Sequence, residues 1–352
     1  MKKLRVAIVF GGANSEHEVS CMSAASVVEN ADRNKYELVL LGITRDGRWL
    51  RYTGGVADMR ACQWAESDAV SPAFIAPDTG IKGIVTLEEG RYTLLAVDVV
   101  FPVLHGRMGE DGTIQGLFEM AGLPYVGCGV MASANCMDKA VTKTLLTAAG
   151  IPNAAWRLVT PEDMPGFDAM EKEMAESLKY PMFVKPAGAG SSVGVGKGKD
   201  KASLRAAIET AFKEDRKVLV EEAITGQEVE SAVMGNRAPV AAPVVGEIAP
   251  KHEFYDYAGK YLDDSTSLYI PARIPEEAAE RVRAMAVKAY KALDCAGLSR
   301  VDFFFQADGS IILNEINTLP GFTHISMYPK MFMAGGMSYS DIIDSLINLA
   351  LE

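Results

Sequence analysis

The stretch 299–321, SRVDFFFQADGSIILNEINTLPG, constrains the chain more than any other. Residues 301–305 are apolar and aromatic, Ala307-Asp308-Gly309 is a turn signal, and Ile311-Ile312-Leu313 makes a return strand. Asp302 falls early in the first strand. Glu315 and Asn317 stand two apart at the end of the second, so alternation puts both on one face. Two carboxylates and an amide oxygen facing one space suit a hard cation such as Mg²⁺. The same pattern also describes a plain hairpin with a polar end, so the rest of the chain has to decide.

The chain has 352 residues, enough for two or three domains, and its 49% hydrophobic and 23% charged residues describe a globular protein. Thirty-five basic against forty-six acidic side chains leave a net charge of −11, which argues against non-specific nucleic-acid binding. The start, MKKLRVAIVFGG, reads as a first strand rather than a signal peptide. No run of ~18 apolar residues predicts a membrane span. The five cysteines are odd in number and form no C-x-x-C pair, so free thiols in a reducing cytoplasm are expected and a zinc site is not.

Residues 4–10 form a buried strand followed by Gly11-Gly12 and Ser15-Glu16-His17-Glu18-Val19-Ser20. Ser15 is the expected cap of a helix whose first turn carries Glu16 and Glu18. No G-x-G-x-x-G can be written here, so the turn is not a dinucleotide fingerprint, yet it places Glu16 where α/β sheets bind ligands. A strand over 37–43 follows. The segment 44–95 is less regular, with a hairpin near 85–95 and no legible task. A strand over 96–104 leads into His105-Gly106-Arg107-Met108-Gly109-Glu110-Asp111-Gly112, then a helix over 113–121 and a short strand at 124–127.

A helix runs from Met137-Asp138-Lys139 to about residue 149, and another covers 170–178. The strand 180–186 ends in Lys185-Pro186 before a glycine-serine loop, 188–196. This is not a Walker A loop, since Lys197 is followed by Gly198, but its backbone and hydroxyls can cradle phosphate beside Lys185. A helix over 202–212 and strands over 217–221, 229–234 and 240–245 come next. Glu221-Glu222 and Glu228 flank a turn, either as adenine and ribose contacts or as solvated turn charges. Residues 250–270 read as a long loop of the kind that forms lids. Residues 275–293 make the clearest helix, with Pro275 in its first turn and a stripe of Val282, Met285, Ala286, Ala289, Tyr290 and Leu293, which is core. A closing helix is expected over 342–351.

Taken together and in order, these segments resemble the D-alanine–D-alanine ligases of the ATP-grasp superfamily over nearly the whole chain. The resemblance rests on Gly11-Gly12 with Glu16-His17-Glu18-Val19-Ser20, His105-Gly106 through Gly109-Glu110-Asp111-Gly112, Met137-Asp138-Lys139, and Lys185-Pro186 with Gly190-Ser191-Ser192-Val193-Gly194. Asp256-Tyr257 with Lys260-Tyr261, Ser299-Arg300-Val301-Asp302, and Asn314-Glu315-Ile316-Asn317-Thr318 with Pro320-Gly321-Phe322-Thr323 complete it. It implies an α/β, three-domain ATP-grasp architecture: an open N-terminal α/β domain at 1–137, a central ATP-grasp subdomain at 138–224 and a C-terminal one at 225–352.

The resemblance further implies ATP as co-substrate, two Mg²⁺ (Mn²⁺ as a substitute), D-alanine as substrate, a homodimer and a cytoplasmic location. Asp302, Glu315 and Asn317 match metal ligands. Arg300 matches a clamp on the transferred phosphoryl group, and the Gly321 N–H an oxyanion donor. Lys139, Lys185 and Lys260 match phosphate contacts, with Ser192 of the glycine-serine loop among the nucleotide-binding residues. Glu221 with the backbone of Glu222 and Ile224 matches the adenine site, and Glu228 the ribose contact. Glu16 matches the holder of the first substrate's ammonium, with His105 nearby. Ser191 and Tyr261 match a hydrogen-bonded link from Glu16 to the lid, and Ser326 with the Met327 backbone the site for the second substrate's carboxylate.

Two departures stand out: Ala187-Gly188-Ala189 lacks the larger or charged residues of some relatives, and Ala223 stands where some carry an aromatic residue by the adenine. Tyr261 favours an amine acceptor over D-lactate. Met327 in place of an arginine argues against D-serine, although 271–274 and the 320–323 turn are similar to D-serine ligases. A non-catalytic nucleotide-binding protein is the alternative of another class, disfavoured because Arg300 and every metal ligand are present. The missing fingerprint disfavours a nicotinamide oxidoreductase.

Overall fold

The apolar run at the N-terminus forms β1 (Leu4–Gly11), and α1 (His17–Asn30) carries the chain across to β2 (Tyr36–Ile43), which pairs with β1 in parallel from Leu4↔Tyr36 to Gly11↔Ile43. The computed structural model describes residues 2–88, 90–190, 193–250 and 266–352. The irregular 44–95 segment resolves into β3 (Trp49–Tyr52), α2 (Val56–Arg60), β4 (Val70–Ile75), β5 (Gly83–Glu88) and β6 (Arg91–Ala96). With β7 (Val99–Val103) they complete a sheet of order β6-β5-β4-β3-β2-β1-β7. The expected hairpin is β5–β6. The expected strand 96–104 is shorter, because Ala96 still pairs with β5. One face of this sheet packs under α3 (Thr113–Ala121) through Phe118 and Ile114. Its other face packs with α1.

Three local readings change. Ser15 does not cap α1: Glu16 is the N-cap, and the Asn14 side chain accepts the Glu16 N–H at 2.9 Å while donating to the carbonyls of His105 and Arg107. The short strand at 124–127 is a single bridge, Val100↔Tyr125. Helix α4 (Val130–Met137) was not anticipated, because its small polar residues carry a weak apolar period.

The chain then builds α5 (Lys139–Ala148), β8 (Trp156–Val159), α6 (Phe167–Ser177), β9 (Met182–Pro186), β10 (Gly196–Gly198), α7 (Lys201–Ala211) and β11 (Val218–Glu222). The strands form an antiparallel sheet, β10-β9-β11-β8, with α6 and α7 packed on it. The glycine-serine loop thus ends in an edge strand.

A third sheet gathers β12 (Gln227–Met234), β13 (Val240–Ala241), β14 (Gly246–Pro250) and β15 (Thr266–Tyr269) with β16 (Leu298–Phe305) and β17 (Ile311–Asn317), in the order β15-β14-β12-β16-β17 with β13 on β12. Helix α8 (Glu276–Ala292) buries Val282, Ala286, Ala289 and Tyr290 against Val301, Phe303 and Leu313. Each larger side chain of that stripe contributes about 1.5–3 kcal/mol on burial. Pro275 is its N-cap rather than a first-turn residue. Finally α9 (Met327–Ala334), not anticipated, and α10 (Tyr339–Ala350) pack through Met327, Tyr328, Ile343 and Leu346 into the cluster that holds α1 and β1. Among the described residues no helix is long and apolar enough to cross a membrane.

Candidate active site

The β16–β17 hairpin sets the geometry. Register puts Asp302 opposite Glu315 and Arg300 opposite Asn317, while Val301 and Ile316 point into the core. On the other side of β16, β12 places Glu230 opposite Asp302. Three carboxylates therefore lie in one row across three strands. Like charges directly opposite on a sheet destabilise it unless a cation intervenes. Arg300 supplies one cation: its Nε donates to Asp302 Oδ1 at 2.8 Å, its Nη2 to Asp302 Oδ2 at 2.7 Å, and its Nε lies 3.0 Å from Glu230 Oε1. Burial works against the guanidinium's charge, and Asp302 and Glu230 more than offset it, holding its pKa up. The row also fits a hard divalent ion. Asn317 Oδ1 is buried with no hydrogen-bond partner among the described residues, as an amide oxygen reserved for a cation would be.

A β-bulge lies between Asp302 and Phe303: Asp302 faces Glu315 while Phe303 faces Leu313, so Asn314 is the extra residue. Its Oδ1 accepts from Lys185 Nζ at 3.2 Å. Lys185 in turn lies 3.0 Å from Glu221 Oε2, and Lys143 Nζ lies 3.5 Å from Glu221 Oε1. Burial would push the Glu221 carboxyl up, but Lys185 and Lys143 hold it below its ordinary range. Burial lowers the Lys143 ammonium; at Lys185 burial is overcome by Glu221 and the pKa is raised. The Glu221 carboxylate, expected at the adenine, is thus engaged by two lysines.

Lys139 opens α5. Asp138 caps that helix by accepting from Ala140 and Val141, and Lys217 pairs with the same carboxylate. Lys139 Nζ donates to the Ala189 carbonyl at 2.7 Å. Lys139, Lys185, Glu221, Glu222, Ile224, Glu228 and Asp302 all line one cavity between β9–β11 and β12–β16.

An adjoining cavity is lined by Glu16, Asn317, Gly321, Ser326 and Met327. Glu16 fits there because two glycines leave room: a Cβ on Gly106 would stand 2.1 Å from Glu16 Oε2, and one on Gly190 3.0 Å from it. Gly106 also has φ +66°, which favours glycine. A Cβ on Gly321 would stand 2.8 Å from Ser326 Oγ, so a side chain there would displace that hydroxyl. Ser326 accepts the Thr323 N–H at 3.0 Å, and α9 begins at Met327, so the positive end of that helix faces the cavity.

His105 does not line either cavity; it is buried behind the second. The Leu319 carbonyl can only accept, so His105 Nδ1 carries the proton in their 3.0 Å bond, and Nε2 accepts from Ser23 Oγ at 3.3 Å. Ser23 in turn accepts the Phe322 N–H at 3.2 Å. Burial lowers the His105 pKa, in keeping with a neutral ring. Glu110 accepts the Gly106 N–H at 2.6 Å and the Leu319 N–H at 3.3 Å. Burial first, and the charge of Glu16 second, raise its carboxyl to about 8. The turn carrying Gly321 is therefore tied on both flanks to α1 and to the loop after β7.

Ser191, Ser192, Lys260 and Tyr261 lie outside the described residues, as does most of the expected lid. Sequence reasoning gave no role to Glu230, Lys143, Asn314, Ser23 or Glu110. Glu110 and Asn314 do stand in the motifs quoted above, and Glu230 stands two residues from Glu228 on a strand and hence on the same face.

The chain's residues 5–128 match the family model described as D-ala D-ala ligase N-terminus, and residues 145–348 the one described as D-ala D-ala ligase C-terminus. The D-alanine–D-alanine ligase of Caldicellulosiruptor bescii is 47% identical over 355 residues, covering 100% of this chain and 96% of that protein. That of Ruminiclostridium cellulolyticum is 50% identical over 365 residues, covering 100% and 96%. Among solved structures, the VanG D-Ala:D-Ser ligase from Enterococcus faecalis superposes with a TM-score of 0.91 at 43% identity, covering 99% of this chain and 100% of that one. The D-alanine-D-alanine ligase from Coxiella burnetii superposes with a TM-score of 0.88 at 35% identity, covering 100% and 94%. With both halves matched, and with two adjoining cavities meeting at one carboxylate-lined wall, the chain belongs to the D-alanine–D-alanine ligase family of the ATP-grasp fold.

Proposed function

We propose that this protein joins two D-alanines into D-alanyl-D-alanine for peptidoglycan precursor synthesis, using ATP and releasing ADP and phosphate. The observation that carries this reading is that Lys139, Arg300 and Glu315 line both cavities, so a nucleotide in one and an amino acid in the other meet at the same wall. The first D-alanine's carboxylate attacks the γ-phosphate to give an acyl phosphate. The second D-alanine's amine attacks that carbonyl, and phosphate leaves.

Each step assigns work to this chain's residues. Lys139 and Lys185 contact phosphates, Glu222 and Ile224 border the adenine, and Glu228 takes the ribose, with Glu221 fixing Lys185 beside them. Glu16 holds the first substrate's ammonium. Arg300 and the Gly321 N–H bracket the reacting carbon and oppose its developing negative oxygen. Ser326 and the Met327 N–H, at the positive end of α9, hold the second carboxylate. Asp302, Glu315 and Asn317 hold two Mg²⁺, or Mn²⁺, which when bound neutralise the phosphoryl oxygens. Ser191, Ser192, Lys260 and Tyr261 belong to the same proposal as closure and phosphate contacts.

The division into 1–137, 138–224 and 225–352 is supported by the sheets. β11 ends the second at Glu222 and β12 opens the third at Gln227. A cytoplasmic homodimer is part of the proposal, and sedimentation of the purified protein tests the dimer. The likeness to a D-Ala:D-Ser ligase keeps D-serine as a second reading for the acceptor. Phosphate release and product mass with ATP, Mg²⁺ and D-alanine, alone or with D-serine or D-lactate, decide between them. D-alanyl-D-alanine as main product supports the proposal; no D-alanine-dependent phosphate overturns it.

A further inference from the structure

His17 and Cys21 stand four apart on α1, on one face of its first turns, and both are buried. Cys62, 41 residues further on, follows α2 in a left-handed conformation, φ 57°, uncommon for a residue with a side chain. That conformation brings its Sγ to 3.3 Å from Cys21 Sγ. A ring nitrogen of His17 and the two sulfurs all lie within 4.8 Å of one another. We propose that His17, Cys21 and Cys62 form a binding site for one borderline-soft divalent cation of the zinc type, separate from the phosphoryl-transfer wall.

Three further features support a cation here. His17 Nδ1 is 2.8 Å from the Gly12 carbonyl, which can only accept, so Nδ1 carries the proton and Nε2 keeps its lone pair. A backbone carbonyl fixing the remote nitrogen is the usual support of a metal-ligating histidine. The donor set of one imidazole and two thiolates neutralises a divalent ion and suits zinc over Mg²⁺ or Ca²⁺. Two thiolates on a tetrahedral zinc sit roughly 3.8 Å apart, so the 3.3 Å between the two sulfurs needs to open by only about half an ångström. The Trp64 ring stacks on His17 at 6.5 Å and covers the cluster.

The site gives the 44–95 segment a task. Cys62 and Trp64 belong to that segment, whereas His17 follows Glu16 directly. A bound ion ties the sheet extension to the start of the helix that positions Glu16.

The test uses the reduced, EDTA-treated full chain titrated with Co²⁺ as a spectroscopic stand-in for Zn²⁺. Expected are sulfur-to-cobalt charge-transfer absorption and tetrahedral d–d bands saturating at one ion per chain and displaced by Zn²⁺. Oxygen ligands at the phosphoryl-transfer wall cannot produce the charge-transfer band. Cys62→Ser should weaken the ion by at least ~10- to 100-fold while its circular dichroism and Mg²⁺-dependent turnover stay as in the parent. Cys136→Ser, at the separate cysteine pair with Cys295, should keep the band. No charge-transfer band in the parent, or an unchanged one in Cys62→Ser, overturns the site. So does a Cys21–Cys62 disulfide that forms in air, with no metal affinity after its reduction; the pair is then a redox pair.

Discussion

On the nucleotide side of Arg300, the groups proposed to meet ATP are charged side chains already paired with one another: Lys185 and Lys143 with Glu221, Arg300 with Asp302 and Glu230. On the substrate side, Gly321 and the start of α9 offer backbone N–H groups, held by a buried set of His105, Ser23 and Glu110 that touches the turn from behind. The first arrangement keeps buried charges satisfied before ligand arrives, and removing one partner strands the other. The second fixes positions, so its loss alters geometry more than affinity. Substitutions on the two sides should therefore separate into effects on stability and nucleotide affinity, and effects on turnover.

The largest effect is expected where the sides meet. Glu315→Gln removes one charge of the carboxylate row, and turnover should fall on the order of 10³-fold with the fold intact; near-parental phosphate release would detach the row from catalysis. Lys185→Met takes the nearer of the two paired lysines from Glu221, leaving it the 3.5 Å contact to Lys143 and the field of Lys139. It should lose about 3 kcal/mol of stability and raise the ATP KM. The double variant Lys185→Met with Glu221→Gln should recover much of the stability but not the KM. If it recovers neither, the pair is not what strands the charge. Ser23→Ala, on the other side, leaves the Phe322 N–H without its acceptor. Its kcat should drop roughly tenfold with the ATP KM little changed; a change in ATP KM alone would blur the contrast.

The last expected effect concerns pH. The Glu110 carboxyl is raised from 4.5 to about 8 by burial and then by Glu16. A proton held more tightly in the folded than in the unfolded chain stabilises the fold fully below the unfolded value. That stability is lost as pH rises towards 8, with a slope of up to about 1.4 kcal/mol per unit. Denaturant midpoints of Glu110→Gln should show a flatter decline between pH 5 and 8. An unchanged slope would remove Glu110 as the titrating group.

Much of the carboxylate wall was legible because it is local: alternation and a turn put Asp302, Glu315 and Asn317 together without any distant contact. What lay hidden was non-local. Glu230 shares a strand face with Glu228, but only strand register sets it beside Asp302. The bulge at Asn314 leaves no mark in the alternation. Lys143 lies on an amphipathic helix where a lysine normally faces water, yet it is buried against Glu221. Ser23 looks like any small helical residue until the turn at Phe322 packs on it. The cysteines offered no close spacing, because the fold joins Cys21 to Cys62 across two strands and a helix. The edge strand β10 and helix α9 were missed for a related reason: short elements take their stability from neighbours rather than from their own period.

The central claim is that a D-alanine carboxylate attacks ATP against this wall before any peptide bond forms. Supplying D-alanine labelled with ¹⁸O in its carboxylate, with ATP and Mg²⁺, tests it directly. Phosphate released in step with D-alanyl-D-alanine should carry one labelled oxygen from the substrate, seen by mass or by the ³¹P isotope shift. Dipeptide formation with unlabelled phosphate would contradict the acyl-phosphate route and the placement of the substrate carboxylate beside Arg300 and the Asp302–Glu315 pair.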